Sequence, residues 1–219
     1  MIRRLLLVVS AMLICNVAFS QIQEDVWIWP DDHTQDMQIR LETGIKAGGG
    51  ISFASKPSLY NCDFHGSLAY QLGIAANAHL GYRSKHNPEI ISRFGLEFEA
   101  LWGVKNIKTD WGKTSMHCIE IPILIQFHLS SSLFLEAGPT LVKMITAAPD
   151  YLQSGAVAID VSNMEANDVM LSIGLGFRTP AHIACGIRFN KGLSPMAGNL
   201  DSKTSTVLFS ISYLFPIIK

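Results

Sequence analysis

Residues 118–141 read CIEIPILIQFHLSSSLFLEAGPTL, and between Ile121 and Leu135 no side chain carries a formal charge. So greasy a run is a helix crossing a membrane, a buried core strand, or two strands facing lipid. Its period separates them. Ile119, Ile121, Ile123, Ile125, Phe127 and Leu129 share one parity, while Glu120, Gln126 and His128 share the other. After Ser130-Ser131-Ser132, Leu133, Leu135, Ala137 and Leu141 alternate with Phe134, Glu136, Gly138 and Thr140. Strict alternation is the mark of a strand with two unlike faces. A helix would scatter Glu120, Gln126 and Glu136 around its girth. The stretch is a hairpin of two strands joined by a very short turn.

The same alternation recurs along the chain. Phe94, Leu96, Phe98, Ala100, Trp102 and Val104 are apolar, and the interleaved Arg93, Glu97, Glu99 and Lys105 are charged. Eight strands are expected, near 43–54, 66–83, 92–105, 115–129, 132–143, 168–179, 183–191 and 204–215. No stretch after residue 20 offers about 20 consecutive apolar residues, so no membrane helix is expected there.

Composition says what kind of β protein this is. Hydrophobic residues are 48% and charged residues 16% of the chain, against about 25% charged in ordinary soluble domains. There is ample apolar material and little charge to coat a water-facing surface. A formal net charge of −1 argues against a nucleic-acid partner. Arg3 and Arg4, the apolar Leu5 to Val17 and the small-x-small Ala18-Phe19-Ser20 make a signal peptide over 1–20 that is too short to span a bilayer. Residues 21–42, with Trp27-Ile28-Trp29-Pro30, are expected as a periplasmic N-terminal arm, and 43–219 as the barrel domain. Cys62, Cys118 and Cys185 have neither the spacing of a disulfide framework nor a CxxC motif, so no zinc site is expected.

Alternation alone fits two architectures. In a soluble sandwich or lipocalin-like barrel the greasy face points into a core. In a transmembrane barrel it points out to lipid. The low charged fraction, the signal peptide, and glycines on the polar face (Gly44, Gly48, Gly50, Gly174, Gly176, Gly186) favour the second, because a crowded interior needs small residues. The segments at 55–65, 106–114, 144–167 and 192–203 are long, and those at 84–91, 130–131 and 180–182 are shorter. Long outer loops alternating with short periplasmic turns are the pattern of outer-membrane barrels. The fold class expected is all-β: a closed, antiparallel, eight-stranded transmembrane barrel.

Several strands also resemble a known family. Thr43-Gly44-Ile45-Lys46-Ala47-Gly48-Gly49 resembles the G-x-K-x-G first strand of the PorT-like small outer-membrane barrels. Cys118-Ile119-Glu120-Ile121-Pro122-Ile123-Leu124 is similar to the family's Y-L-E-I-P-L-L strand, with Cys118 in place of an aromatic. Phe134 to Pro139 and Arg188 to Leu193 are similar to its aGP and R-Y-x-x-G-L segments. The resemblance implies an outer-membrane barrel and no particular activity.

Eight strands enclose a lumen just wide enough for side chains to fill it. The expected lumen charges are Lys46, Arg83, Arg93, Lys105, Arg178 and Arg188 against Glu97, Glu99, Glu120 and Glu136. Buried charges must be paired, so a structural network is expected. A narrow conduit or small-ligand site is the alternative. A second is a lipid-modifying enzyme using Ser115 and His117, which share one face near an outer loop. His33, His65, His79, His86, His117, His128 and His182 form no HxxxH or HExxH motif. No catalytic residue, cofactor or metal is therefore assigned. The expectation is a monomeric, non-catalytic barrel contacting outer-membrane lipid, with an envelope protein as a possible partner. The loops at 144–167 and 192–203 are where outside recognition would occur.

Overall fold

The computed structural model describes residues 36–55, 64–83, 91–109, 112–130, 132–148, 151–154, 157–160, 167–194 and 203–218. The expected signal peptide, most of the arm, His33, Cys62 and His86 lie outside them. Strands β1 (Asp36–Ala54), β2 (Phe64–His65), β3 (Ser67–Arg83), β4 (Ile91–Thr109), β5 (Gly112–His128) and β6 (Leu133–Ala148) come first. They are followed by β7 (Tyr151–Ser154), β8 (Val157–Asp160), β9 (Asn167–Arg178), β10 (Ile183–Gly192) and β11 (Thr204–Ile218). The eight long strands pair antiparallel in one circuit, β1-β3-β4-β5-β6-β9-β10-β11, and β11 returns to β1. The barrel is closed and has no free edge. β2 adds to the end of β4, and β7 and β8 form a separate ribbon between β6 and β9.

The register fixes the barrel's dimensions. A walk across paired residues leaves β1 at Ile39 and passes Leu80, Phe94, Phe127, Leu135, Leu175, Ile187 and Phe209. It re-enters β1 at Gly49, ten residues further on. Eight strands with that stagger tilt by roughly 40° and close at a backbone radius of about 8 Å. The outward apolar run from Val207 to Ile217 then rises about 25 Å along the axis, the height of the apolar band in outer-membrane barrels.

The faces are sorted as alternation requires. Leu124 and Gln126 are 0% exposed, whereas Ile125 between them is 60% exposed. Ile45, Leu72, Ile74, Leu171, Ile173, Ile187 and Ile211 face outward, and Lys46, Glu97, Glu99, Glu120, Glu136 and Arg188 are buried. This is a protein turned inside out: an oily exterior around a polar filling. Among the described residues no helix is long and apolar enough to cross a membrane; the strands do the crossing.

Small residues let the wall curve. A β-carbon on Gly73 would land on the Ala100 carbonyl oxygen across the sheet, so only glycine allows β3 that close to β4. Pro122, having no N–H to give, sits where the β4–β5 pairing breaks between Phe98–Ile123 and Leu101–Glu120. The last short turn is Thr179-Pro180-Ala181-His182, with the His182 N–H donating to the Thr179 carbonyl and His182 at φ 65. Proline second and a left-handed fourth residue are what a three-residue hairpin loop demands.

Strand ends depart from the sequence reading in three places. β1 begins at Asp36 rather than Thr43. The expected long connection at 106–114 is largely strand, because β4 runs to Thr109 and β5 starts at Gly112. β6 continues to Ala148 through a bulge at Ile145, since His117 pairs with Thr146 but Cys118 with Met144. The β4–β5 end has a simple cause. A strand that rises past the lipid keeps its hydrogen bonds and loses its oily outward residues, so its end reads as a loop. Val104, expected on the lipid face, is 2% exposed because it lies between Tyr70 and His117 across the two ladders.

Candidate functional site

The interior is stacked in three tiers along the axis. The lowest gathers at Glu42 on β1. Its Oε1 pairs with Arg40 at 2.6 Å, its Oε2 with Arg178 of β9 at 2.5 Å, and His79 of β3 lies 3.3 Å away. His79 Nε2 is also 2.8 Å from Arg178 Nη1. A guanidinium only donates, so this ring nitrogen accepts and a neutral ring carries its proton on Nδ1. The His79 and His128 rings lie 5.0 Å apart, and His128 continues to Phe134 at 5.6 Å.

The middle tier closes the lumen. Lys46 of β1 reaches Glu97 at 3.0 Å and Glu99 at 2.5 Å, both on β4. Arg188 of β10 binds Glu99 with two parallel donors at 2.7 and 2.8 Å, and its Nε donates to Glu136 of β6 at 2.6 Å. Gln126 donates to Glu97 and accepts from Asn77 at 2.8 Å. In the circuit of eight, β4 and β10 are four steps apart and so stand opposite one another. The bidentate Arg188–Glu99 pair therefore crosses the full width of the barrel, and forked pairs of this kind are the most geometrically fixed a protein makes.

In the upper tier Lys105 pairs with Glu120 at 2.7 Å and donates toward Met170 Sδ at 3.3 Å. The Cys118 thiol points to Glu120 at 3.4 Å. Beside them and toward the turn end, Thr140 and Ser172 bond at 2.6 Å, and Asn190 donates to Thr206 at 3.0 Å. The lumen is crowded throughout. A β-carbon on Gly176 would run into the Phe134 ring.

Of the ten expected lumen charges, Lys46, Glu97, Glu99, Lys105, Glu120, Glu136, Arg178 and Arg188 all join these pairs. The side chains of Arg83 and Arg93 lie outside the described residues. Sequence reading missed Arg40 and Glu42, which it assigned to the arm, although Arg40 and Glu42 alternate with Ile39 and Leu41 in the phase of the strand. It also gave no role to Met170, whose burial among charges leaves no mark in hydropathy.

The outer-rim pair does not assemble. Ser115 donates to Asn106 Oδ1 at 2.6 Å, and the His117 ring instead lies 5.5 Å from Trp102. Among the described residues no three His, Cys, Asp or Glu side chains cluster as metal ligands would.

The chain is similar to the solved structure of Ail, the attachment invasion locus protein of Yersinia pestis, at 15% identity and a TM-score of 0.46, covering 80% of this chain and 98% of that one. It is similar to Neisserial surface protein A at 11% identity and a TM-score of 0.48, covering 79% and 97%. No curated protein matches the sequence. The outer membrane protein beta-barrel domain matches residues 19–198, and with the closed eight-stranded circuit and lipid-facing exterior already in view, the chain belongs to that outer-membrane family.

Proposed function

We propose that this is a plugged, non-catalytic outer-membrane barrel whose role is structural or partner-binding, with the loops at the end of the barrel away from Asp36 and Ile218 as its working surface. The observation that carries this reading is the Arg188–Glu99 pair, joined by Lys46, Glu97 and Glu136, which bridges opposite walls at mid-height. Parting buried charges to admit a solute costs several kcal/mol (about 3–5 for a single broken pair). A scaffold has no need to part them. The separate disposition of Ser115 and His117 speaks against the lipid-modifying alternative. Within the outer-membrane family, the strand motifs around Lys46, Glu120, Gly138 and Arg188 support a PorT-like member. Export by a signal peptide removed after Ser20 belongs to the same reading, and the mass of the mature chain tests it.

Single-channel recording in planar bilayers tests the plug. The purified barrel gives no defined unitary conductance. Steady, reproducible openings would instead favour the narrow-conduit reading.

A further inference from the structure

Charge on the exterior is distributed unlike charge in the lumen. Among the described residues, every acidic side chain whose surroundings are defined turns inward or is half-buried, and the exposed ionic side chains are all lysines: Lys108, Lys113, Lys143 and Lys191. All four lie toward the loop end. Lys191 follows Phe189 and precedes Leu193 on the outward face of β10. Lys143 sits between the outward Leu141 and Ile145 of β6. These two flank β9, where they pair with Leu171 and Asn167. Lys108 and Lys113 are outward neighbours of the buried Ile107 and Thr114. At the turn end the outward residues are Phe94, Phe127, Leu129, Phe215 and Ile217, with no cation among those described.

Two further observations give this crown a partner. Tyr70 and Trp102 meet edge-on at 6.2 Å on the same outward face, and Trp102 pairs with Ile119, which pairs with Lys143. Amphipathic aromatics of this kind settle at headgroup depth, so the lysines stand at and just beyond the headgroup layer. Lysine stems lie along the apolar wall while their ammonium groups rise into that layer. Moreover, Lys108 and Lys113 are directly opposite one another in the β4–β5 ladder. Like charges facing across a strand pair repel, and none of the four has an ion pair among the described residues. A doubly charged anion lodged between Lys108 and Lys113 turns that repulsion into attraction.

We propose that the lysine crown binds the phosphate groups of outer-leaflet glycolipid, one headgroup bridging Lys108 and Lys113 and others seated at Lys143 and Lys191. The belt makes the barrel's outer end an anionic-lipid collar and sets its depth. The proposal needs the lipid-facing exterior but not the plugged lumen, so open-channel behaviour would leave it standing.

The test places the purified barrel in nanodiscs of phosphatidylcholine doped with either bisphosphorylated lipid A or its enzymatically dephosphorylated form. Native mass spectrometry then counts the glycolipid that leaves the disc with the protein. The wild-type barrel retains the bisphosphorylated lipid in clear preference, and this arm needs no variant. Replacing Lys108, Lys113, Lys143 and Lys191 by glutamine removes the preference, by about fivefold for each lysine near the surface. Heat-modifiable gel migration reports that the variant is folded. Equal retention of the two glycolipids by the wild type overturns the proposal, as does undiminished preference in the folded glutamine variant. The second outcome would give the crown to an acidic protein or polysaccharide instead.

Discussion

Arg188 is the residue on which the interior turns, because one guanidinium holds two carboxylates from strands on different sides of the barrel. Arg188→Leu strands Glu136 in a closed lumen, leaves Glu99 with Lys46 alone, and costs about 3–5 kcal/mol, the usual consequence of leaving a buried charge without its partner. Urea unfolding from lipid vesicles measures it. Converting Glu99 and Glu136 to leucine in the same chain recovers most of the loss, since an apolar replacement of the whole group carries no unpaired charge. If the single change were as mild as the triple, the network would be ornament. Gly176 makes a complementary case of shape. Gly176→Ala pushes a β-carbon into the Phe134 ring and lowers stability by about 1–3 kcal/mol. Phe134→Leu in the same chain relieves it, so the two effects are strongly non-additive in a double-mutant cycle.

The wall strands carry their information in parity. Leu175 pairs with Leu135 and Ile187 in the middle of the apolar band, so Leu175→Arg costs about 2–4 kcal/mol of folding into vesicles. The same change at Val169, nearer the loop end, costs about 0–1 kcal/mol. Equal costs at the two depths would mean that the band is not in lipid. Parity is also why the strands were legible in the sequence. From Phe94 to Trp102 and from Ile119 to Leu129 no polar side chain takes the outward face, although Leu101 and Leu124 fall on the inward one, so strand identity and eight of the ten lumen charges could be read directly. Strand ends were not legible. Beyond Val104 the outward phase passes to the buried Asn106 and the exposed Lys108, and a strand leaving the membrane has the composition of a loop. The short β7–β8 ribbon inside 144–167 was hidden for the same reason. Nor could the sequence pair the charges: that Arg188 meets Glu99 rather than Glu120 depends on a stagger of ten residues around the circuit, which no single strand encodes.

At the scale of the whole molecule, closure and inversion are one fact. A circuit with no edge pairs the wall strands with one another all the way round, which keeps backbone hydrogen bonds inside the protein, as a spanning structure must in a solvent that offers none. The stagger then gives a lumen that the paired charges of the three tiers fill, together with Asn77, Gln126 and Asn190. Strong tilt and pairing between ends distant in sequence should make the intact barrel resist detergent without heat, so unboiled and boiled samples migrate differently on a gel. The most direct test of the account is the solvent that touches Ile45, Ile173 and Ile187. With spin labels placed singly at these positions in vesicle-reconstituted protein, collision with oxygen dissolved in the bilayer is high and collision with a water-soluble nickel chelate is near zero. High nickel accessibility, or exclusion of both probes as in a packed protein core, would contradict it.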